Sequence, residues 1–329
     1  MHDLNAFIDG VENVISAHAT GEPGGYRRNQ SAGGPATAYG VADAIHLLYS
    51  INRMPRLTSE RQALIARIQA FQDPETGLFP GDGHHFIHGM AFCAGALELL
   101  DTGLLFPPKG MAPFATRDGV RELMESIDWI TNPWGGSHRG SGIYGAMVLS
   151  GAAPAGWQEW YFEWLEENQD TGTGLWRRGA LPGQATGSAP IFHHLVGTFH
   201  YLFNYDYARR RLNHANRLVD TCLSLHEEGQ LPEMGVGGEG WNEIDFLYLV
   251  RSLIKRTPHR ADEMQHLLHN IGGKFAGYLA RVDMSDGAYD DLHSLFATVS
   301  ALAVVQEGVP GLVKTDRPLR LVLDRKPFL

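Results

Sequence analysis

Residues 72–100 read QDPETGLFPGDGHHFIHGMAFCAGALELL, and this stretch decides the fold. It contains the end of one helix, a turn at Gly77-Leu78-Phe79, a polar loop, and then a helix of small and apolar residues. Its second half, residues 88–100, is apolar nearly all round and rich in Ala and Gly. A helix without a polar face has to be surrounded by protein, so this one is expected on the inner wall of a group of helices.

The same pattern recurs along the chain. His88 precedes Leu97 by nine residues, as His193 precedes Leu202 and His293 precedes Leu302. The turn recurs at Gly174-Leu175-Trp176 and, in weaker form, at Gly287-Ala288-Tyr289. Gln72-Asp73 and Gln169-Asp170 stand before the first two turns. Related units lacking the His lie between, giving helix pairs roughly 45–55 residues long, a period typical of helical arrays.

The first helix of each pair is amphipathic. In residues 59–72, Leu64, Ile65, Ile68 and Phe71 fall on one stripe, and Ser59 with Gln62 has capping-box spacing. The second helix is the small, apolar kind, expected at 38–51, 86–100, 142–150, 191–203, 244–254 and 292–305. Strand patterns are nearly absent. The expectation is an all-α (α/α)6 toroid, a double-layered barrel of six helical hairpins formed by residues 1–329 as one domain. Residues 308–329 are expected to form an extended C-terminal segment packed on its outside. Open arrays of 34-residue repeats lack the long Gly-rich loops found inside these units. Those loops, including residues 73–84, 132–139 and 170–189, should gather on one face with the N-termini of the inner helices.

Composition narrows the function. A formal charge of −10 argues against nucleic acid as a partner. No stretch approaches the ~20 apolar residues of a membrane span. Asp3, Asp9 and Glu12 stand where a secretory leader needs positive charge. Cys93 and Cys222 sit in apolar helical context and read as buried thiols. The expected location is the cytoplasm.

The mouth of the ring is the expected site. Helix N-termini converge there, with Arg28, Arg139 and Arg177-Arg178 on the same loops, which favours an anionic ligand. Pairing of these arginines with Asp82, Glu233 and Glu239 is the structural alternative. His88, His193 and His293 share one register and should all point inward, flanked by His84, His138 and His194, suited to acid–base work or substrate hydrogen bonding. No metal or other cofactor is assigned, although three histidines make a metal at this ring an alternative. Glu243 and Asp291, on neighbouring inner helices, form the expected acid–base pair. Trp134, Trp241 and Tyr289 are placed to stack on a ring, with Asn242 and Asp290 beside them.

The repeat Q-D-x-x-T-G-L-[FW], followed by a polar loop and a small-residue helix, resembles that of the terpenoid cyclase and protein prenyltransferase toroid superfamily. It is equally similar to the turn of six-hairpin glycosidases and toroidal uronate lyases. The resemblance implies the toroid. Asp291 looks like the prenyltransferase repeat aspartate that helps hold zinc, but Ser294 stands where a His would be expected. Ala288-Tyr289-Asp290-Asp291 lacks the first acid of the class II cyclase D-x-D-D.

The resulting expectation is an enzyme acting on a small-molecule or oligosaccharide substrate, polar and anionic, by hydrolysis or elimination. The alternatives are an isoprenoid cyclase or transferase-like enzyme acting on a prenyl diphosphate, and a non-catalytic toroid that binds a ligand or protein.

Overall fold

The computed structural model describes residues 1–180, 187–235, 240–285 and 289–329. The third turn at Gly287-Ala288 and the proposed arginine partner Glu239 lie outside the described residues. The chain is all-helical. In order the helices are α1 Asn5–Ala17, α2 Ala38–Ser50, α3 Thr58–Gln69, α4 Phe86–Leu99, α5 Arg117–Glu125 and α6 Pro133–Leu149. There follow α7 Trp157–Asn168, α8 Ile191–Tyr207, α9 Ala215–Glu227, α10 Trp241–Arg256, α11 Ala261–Leu279 and α12 Leu292–Gly308. Two-residue strands, β1 His2–Asp3 and β2 Val313–Lys314, pair in parallel. Among the described residues no helix is long and apolar enough to cross a membrane.

Odd-numbered helices carry one buried stripe, as Leu64 and Ile68 do on α3. Even-numbered helices are buried on nearly every side; on α12 every residue from Leu292 to Val305 is buried. α2 packs on α4, α4 on α6, α6 on α8, α8 on α10, α10 on α12, and α12 on α2. Small residues allow this close packing. Gly140 of α6, for example, leaves no room for a Cβ, which would stand 2.3 Å from the Tyr201 hydroxyl oxygen.

The repeated turn has a local explanation. Asp73 accepts the Thr76 backbone N–H at 2.7 Å and the Thr76 hydroxyl at 2.8 Å, and Gly77 then takes φ +71°. The Gln72 amide closes the turn by donating to the Gly77 carbonyl at 2.8 Å. The second copy is built the same way: Gln169 donates to the Gly174 carbonyl at 2.8 Å, the Thr173 hydroxyl donates to Asp170 at 2.5 Å, and Gly174 has φ +77°. Gln-Asp-x-x-Thr-Gly is therefore a turn-forming device that returns the chain from one helix toward the next.

Three expectations need correction. Residues 133–139 are the first turns of α6, not a loop. Pro133 suits the first helical position, and Asn132 caps the helix by accepting the Gly135 N–H at 3.1 Å. The capping box at Ser59 does not form, because α3 already begins at Thr58 and Leu57 at its N-cap offers no side-chain cap. The C-terminal segment follows an exposed course only over part of its length. Leu321, Val322, Leu323, Lys326, Phe328 and Leu329 are buried. The Phe328 ring meets His88 edge-on at 4.9 Å and Phe203 at 5.9 Å, and it lies against Gly142 and Gly145 of α6. Apolar burial drives this entry, and Gly at 142 and 145 leaves space for the ring.

Candidate functional site

The first turns of the even-numbered helices and the loops before them surround a cavity of about 410 Å³. His84 and His88 come from α4 and its preceding loop, while Asn132, Trp134 and His138 come from α6 and its cap. α8 contributes His193 and His200, α10 contributes Trp241 and Asp245, and α12 with its cap contributes Asp291, His293 and Ser294. Arg28 stands at one side, and Phe328 and Leu329 complete the lining.

One part of the wall is a histidine cluster. His84 stacks on His88 with ring centres 4.3 Å apart, and His293 lies 5.5 Å from His84 and 6.0 Å from His88. His138 is 5.4 Å from His88 and meets His200 edge-on at 4.7 Å. Burial, reinforced by the neighbouring imidazoles, lowers these groups: His84 to about 3, His138 to about 4, and His88 and His200 well below the ordinary value of 6.5. These four rings are therefore neutral at pH 7. His293 Nδ1 is 2.8 Å from Asp43, which is fully buried on α2. Burial pushes the Asp43 carboxyl up while His293 pulls it back. Tyr39, one turn before Asp43, shares a 2.5 Å hydrogen bond with His88 Nδ1.

Arg28 and Asp291 form a two-pronged pair, Nε to Oδ1 and Nη2 to Oδ2, each 2.9 Å. Asp291 also caps α12 by accepting the His293 N–H at 2.9 Å. Burial opposes ionisation of Asp291, but the Arg28 fork outweighs it and brings the carboxyl below its usual range. Arg28 is thus neutralised in place, and Asp291 serves as a cap and counter-ion.

Asp245 is the contrasting carboxyl. It is fully buried and lines the cavity, and its oxygens make no well-formed hydrogen bond, the Trp134 indole acting on it only as a weak donor. Burial holds it well above the ordinary value of 3.8, with Glu243 adding to the rise and Trp134 opposing it. Burial thus shifts this carboxyl toward its protonated form.

Of the residues expected at the site, Arg28, His88, Trp134, His138, His193, Trp241, Asp291 and His293 line the cavity. Glu243 does not; its carboxylate turns to the loop before α10 and accepts the Gly235 N–H at 2.9 Å. His194 is buried outside the cavity, one helical step round α8 from His193. Arg139 donates to Ser126 at 3.2 Å, and Asp290 accepts the Ser31 N–H at 2.6 Å, both away from the cavity. Asn242 and Tyr289 also stand outside it. Asp245, His200, Asp43 and Tyr39 were missed. Helical spacing was the available signal: Asp245 is four residues after Trp241, His200 seven after His193, and Asp43 four after Tyr39.

No protein-family model matches the chain, and neither a curated protein nor a solved structure matches it.

Proposed function

We propose that the chain is an (α/α)6 toroid and an enzyme carrying out acid–base chemistry on a small, polar, saccharide-type substrate in this cavity. The cycle of contacts from α2 through α12 and back to α2 supports the toroid. The observation that carries the enzymatic reading is Asp245, a fully buried carboxyl that lacks a well-formed hydrogen bond and faces the same cavity as His138 and His193. Asp245 is the proton donor, and His138 or His193 is the base. Trp134 and Trp241 provide flat faces for a sugar ring. The volume suits one or two sugar units, toward the lower end of the about 300–1,000 Å³ usual for ligand pockets.

The Arg28–Asp291 pair argues against a strongly anionic substrate, because that arginine's charge is already matched. Phe328 limits the depth that a long isoprenyl chain would need. The test is thermal-shift screening against neutral sugars, uronic oligosaccharides and prenyl diphosphates, followed by turnover assays of Asp245→Asn on any stabilising sugar. A bound ligand raises the melting temperature by mass action. Stabilisation by prenyl diphosphates alone refutes the proposal.

A further inference from the structure

The acid–base reading leaves the Asp43–His293 and Tyr39–His88 pairs without a role. Among the described residues, His84, His88 and His293 each offer one ligand atom, and these atoms all lie within 4.8 Å of one another. Two of the three rings are held by their Nδ1 atoms, His293 by Asp43 and His88 by Tyr39. A ring that donates its Nδ1–H to such a partner keeps a lone pair on Nε2. Asp43 is fully buried, and its second oxygen, Oδ2, has no partner. A buried carboxylate with an unmatched oxygen is costly unless positive charge stands nearby. Of the cations near Asp43, Arg28 is taken up by Asp291 and the buried Lys326 amine donates to the Phe328 carbonyl, so neither closes the Asp43 oxygen.

We propose that His84, His88 and His293 bind one divalent transition-metal ion of the zinc class, with Asp43 and Tyr39 orienting two of the three imidazoles. Three nitrogens bound to one ion by bonds of about 2.0–2.1 Å stand about 3.3–3.6 Å apart. A pair at the 4.8 Å limit therefore has to close by about 1.2–1.5 Å. His84, on the loop before α4 and only partly buried, is the ring that would make that move, giving up a 3.5 Å contact between its Nε2 and Arg28. Three imidazole nitrogen donors suit zinc, cobalt, nickel or copper better than magnesium or calcium. The position left open faces the cavity, where the ion would polarise a water or a substrate hydroxyl. This deepens the acid–base reading and rests on it for the reaction, though not for the binding of the ion.

The test is calorimetric titration of chelator-treated full-length protein with Zn²⁺, together with visible spectra of the Co²⁺ form. One equivalent should bind. Asp43→Asn should weaken binding by about 10–100-fold, and His84→Ala and His293→Ala should each weaken it further. His226→Ala, at an exposed histidine far from the trio in sequence, should leave it unchanged. No stoichiometric binding overturns the proposal, as does a His84→Ala/His293→Ala double variant that binds as tightly as the parent. If those variants fail to fold, the unmodified protein still decides, since a Co²⁺ form without the d–d bands of nitrogen ligation overturns it. Sugar-induced stabilisation of the metal-free protein separates the two readings. Sugar binding without metal binding removes only the metal, and metal binding without any sugar response removes only the acid–base reading.

Discussion

Replacing Phe328 with Ala tests whether the C-terminal segment packs inward against the even-numbered helices. The side chain is buried, 1% exposed, against His88, Phe203, Gly142 and Gly145. Burying such a ring contributes about 1.5–3 kcal/mol by transfer alone. Phe→Ala changes in closed cores cost about 3–5 kcal/mol, because a void adds to the lost transfer energy. Here the void would join a cavity that water can enter, which removes part of the void term. The expected cost is therefore about 2–4 kcal/mol. For a chain of this length each kcal/mol lowers the melting temperature by about 2 °C, giving a fall of about 4–8 °C. Urea unfolding followed by circular dichroism measures the free energy directly. Leu105→Ala, at a residue 56% exposed, is the control and should change stability by less than about 0.5 kcal/mol. A Phe328→Ala variant indistinguishable from that control would refute an inward course for the tail and would leave the cavity without its apolar lining.

Asp245→Asn should reduce turnover by about 10²–10⁴-fold if this group donates the proton. The unfolded chain releases the Asp245 proton near 3.8 and the folded chain only well above it, so the folded form binds more protons in that window. Wild-type stability therefore falls as pH rises through the window, and Asp245→Asn should match it near pH 4 and exceed it at pH 8; equal pH profiles would count against the neutral acid. Lys326 has the opposite sign. Burial lowers its amine from 10.5 to about 7, against the pull of Asp43 and Cys93, so the unfolded chain binds more protons between those values. Stability of the parent should rise with pH across that range relative to Lys326→Met, as urea midpoints at pH 6 and pH 10 would show. Gly40→Ala places a Cβ 2.5 Å from the Tyr26 carbonyl oxygen and should cost about 1–3 kcal/mol, whereas Gly273→Ala meets nothing within 4 Å and should gain about 0.5–1 kcal/mol.

The all-helical fold was legible because it is written in local patterns. Residues 88–100 have no polar face, and α4 is indeed buried nearly all round. The Gln-Asp-x-x-Thr-Gly turn closes through bonds between residues no more than five apart, so sequence spacing carries it completely. The misplaced start of α6 has a local cause as well. Trp134-Gly135-Gly136 reads as a loop by propensity, yet Asn132 caps it and neighbouring helices need glycine there; a Cβ at Gly136 would stand 2.7 Å from Ile127. The tail was misread because its few apolar residues say that they will be buried without saying against what.

Site roles were harder to read because charge is cancelled by partners far away in sequence. Arg28 looks like an anion grip until Asp291, 263 positions on, takes both prongs of its guanidinium. His293 likewise looks unpartnered until Asp43, 250 positions back, holds its Nδ1 and fixes the direction of its ring. Register predicts which side chains point inward but not which find a counter-charge there. Once these pairings are made, the remaining wall consists of imidazoles, the Asp245 carboxyl, two indoles, the Asn132 amide, the Ser294 hydroxyl and the side chains of Phe328 and Leu329, with one oxygen of Asp43 unmatched nearby. A negative ligand entering such a cavity would lose its hydration and meet no free cation in exchange. A metal ion or a protonated imidazole at the His84–His88–His293 cluster would instead gain the Asp43 carboxylate. The electrostatics that argue against an anionic substrate are therefore the same electrostatics that favour a cation at the histidines.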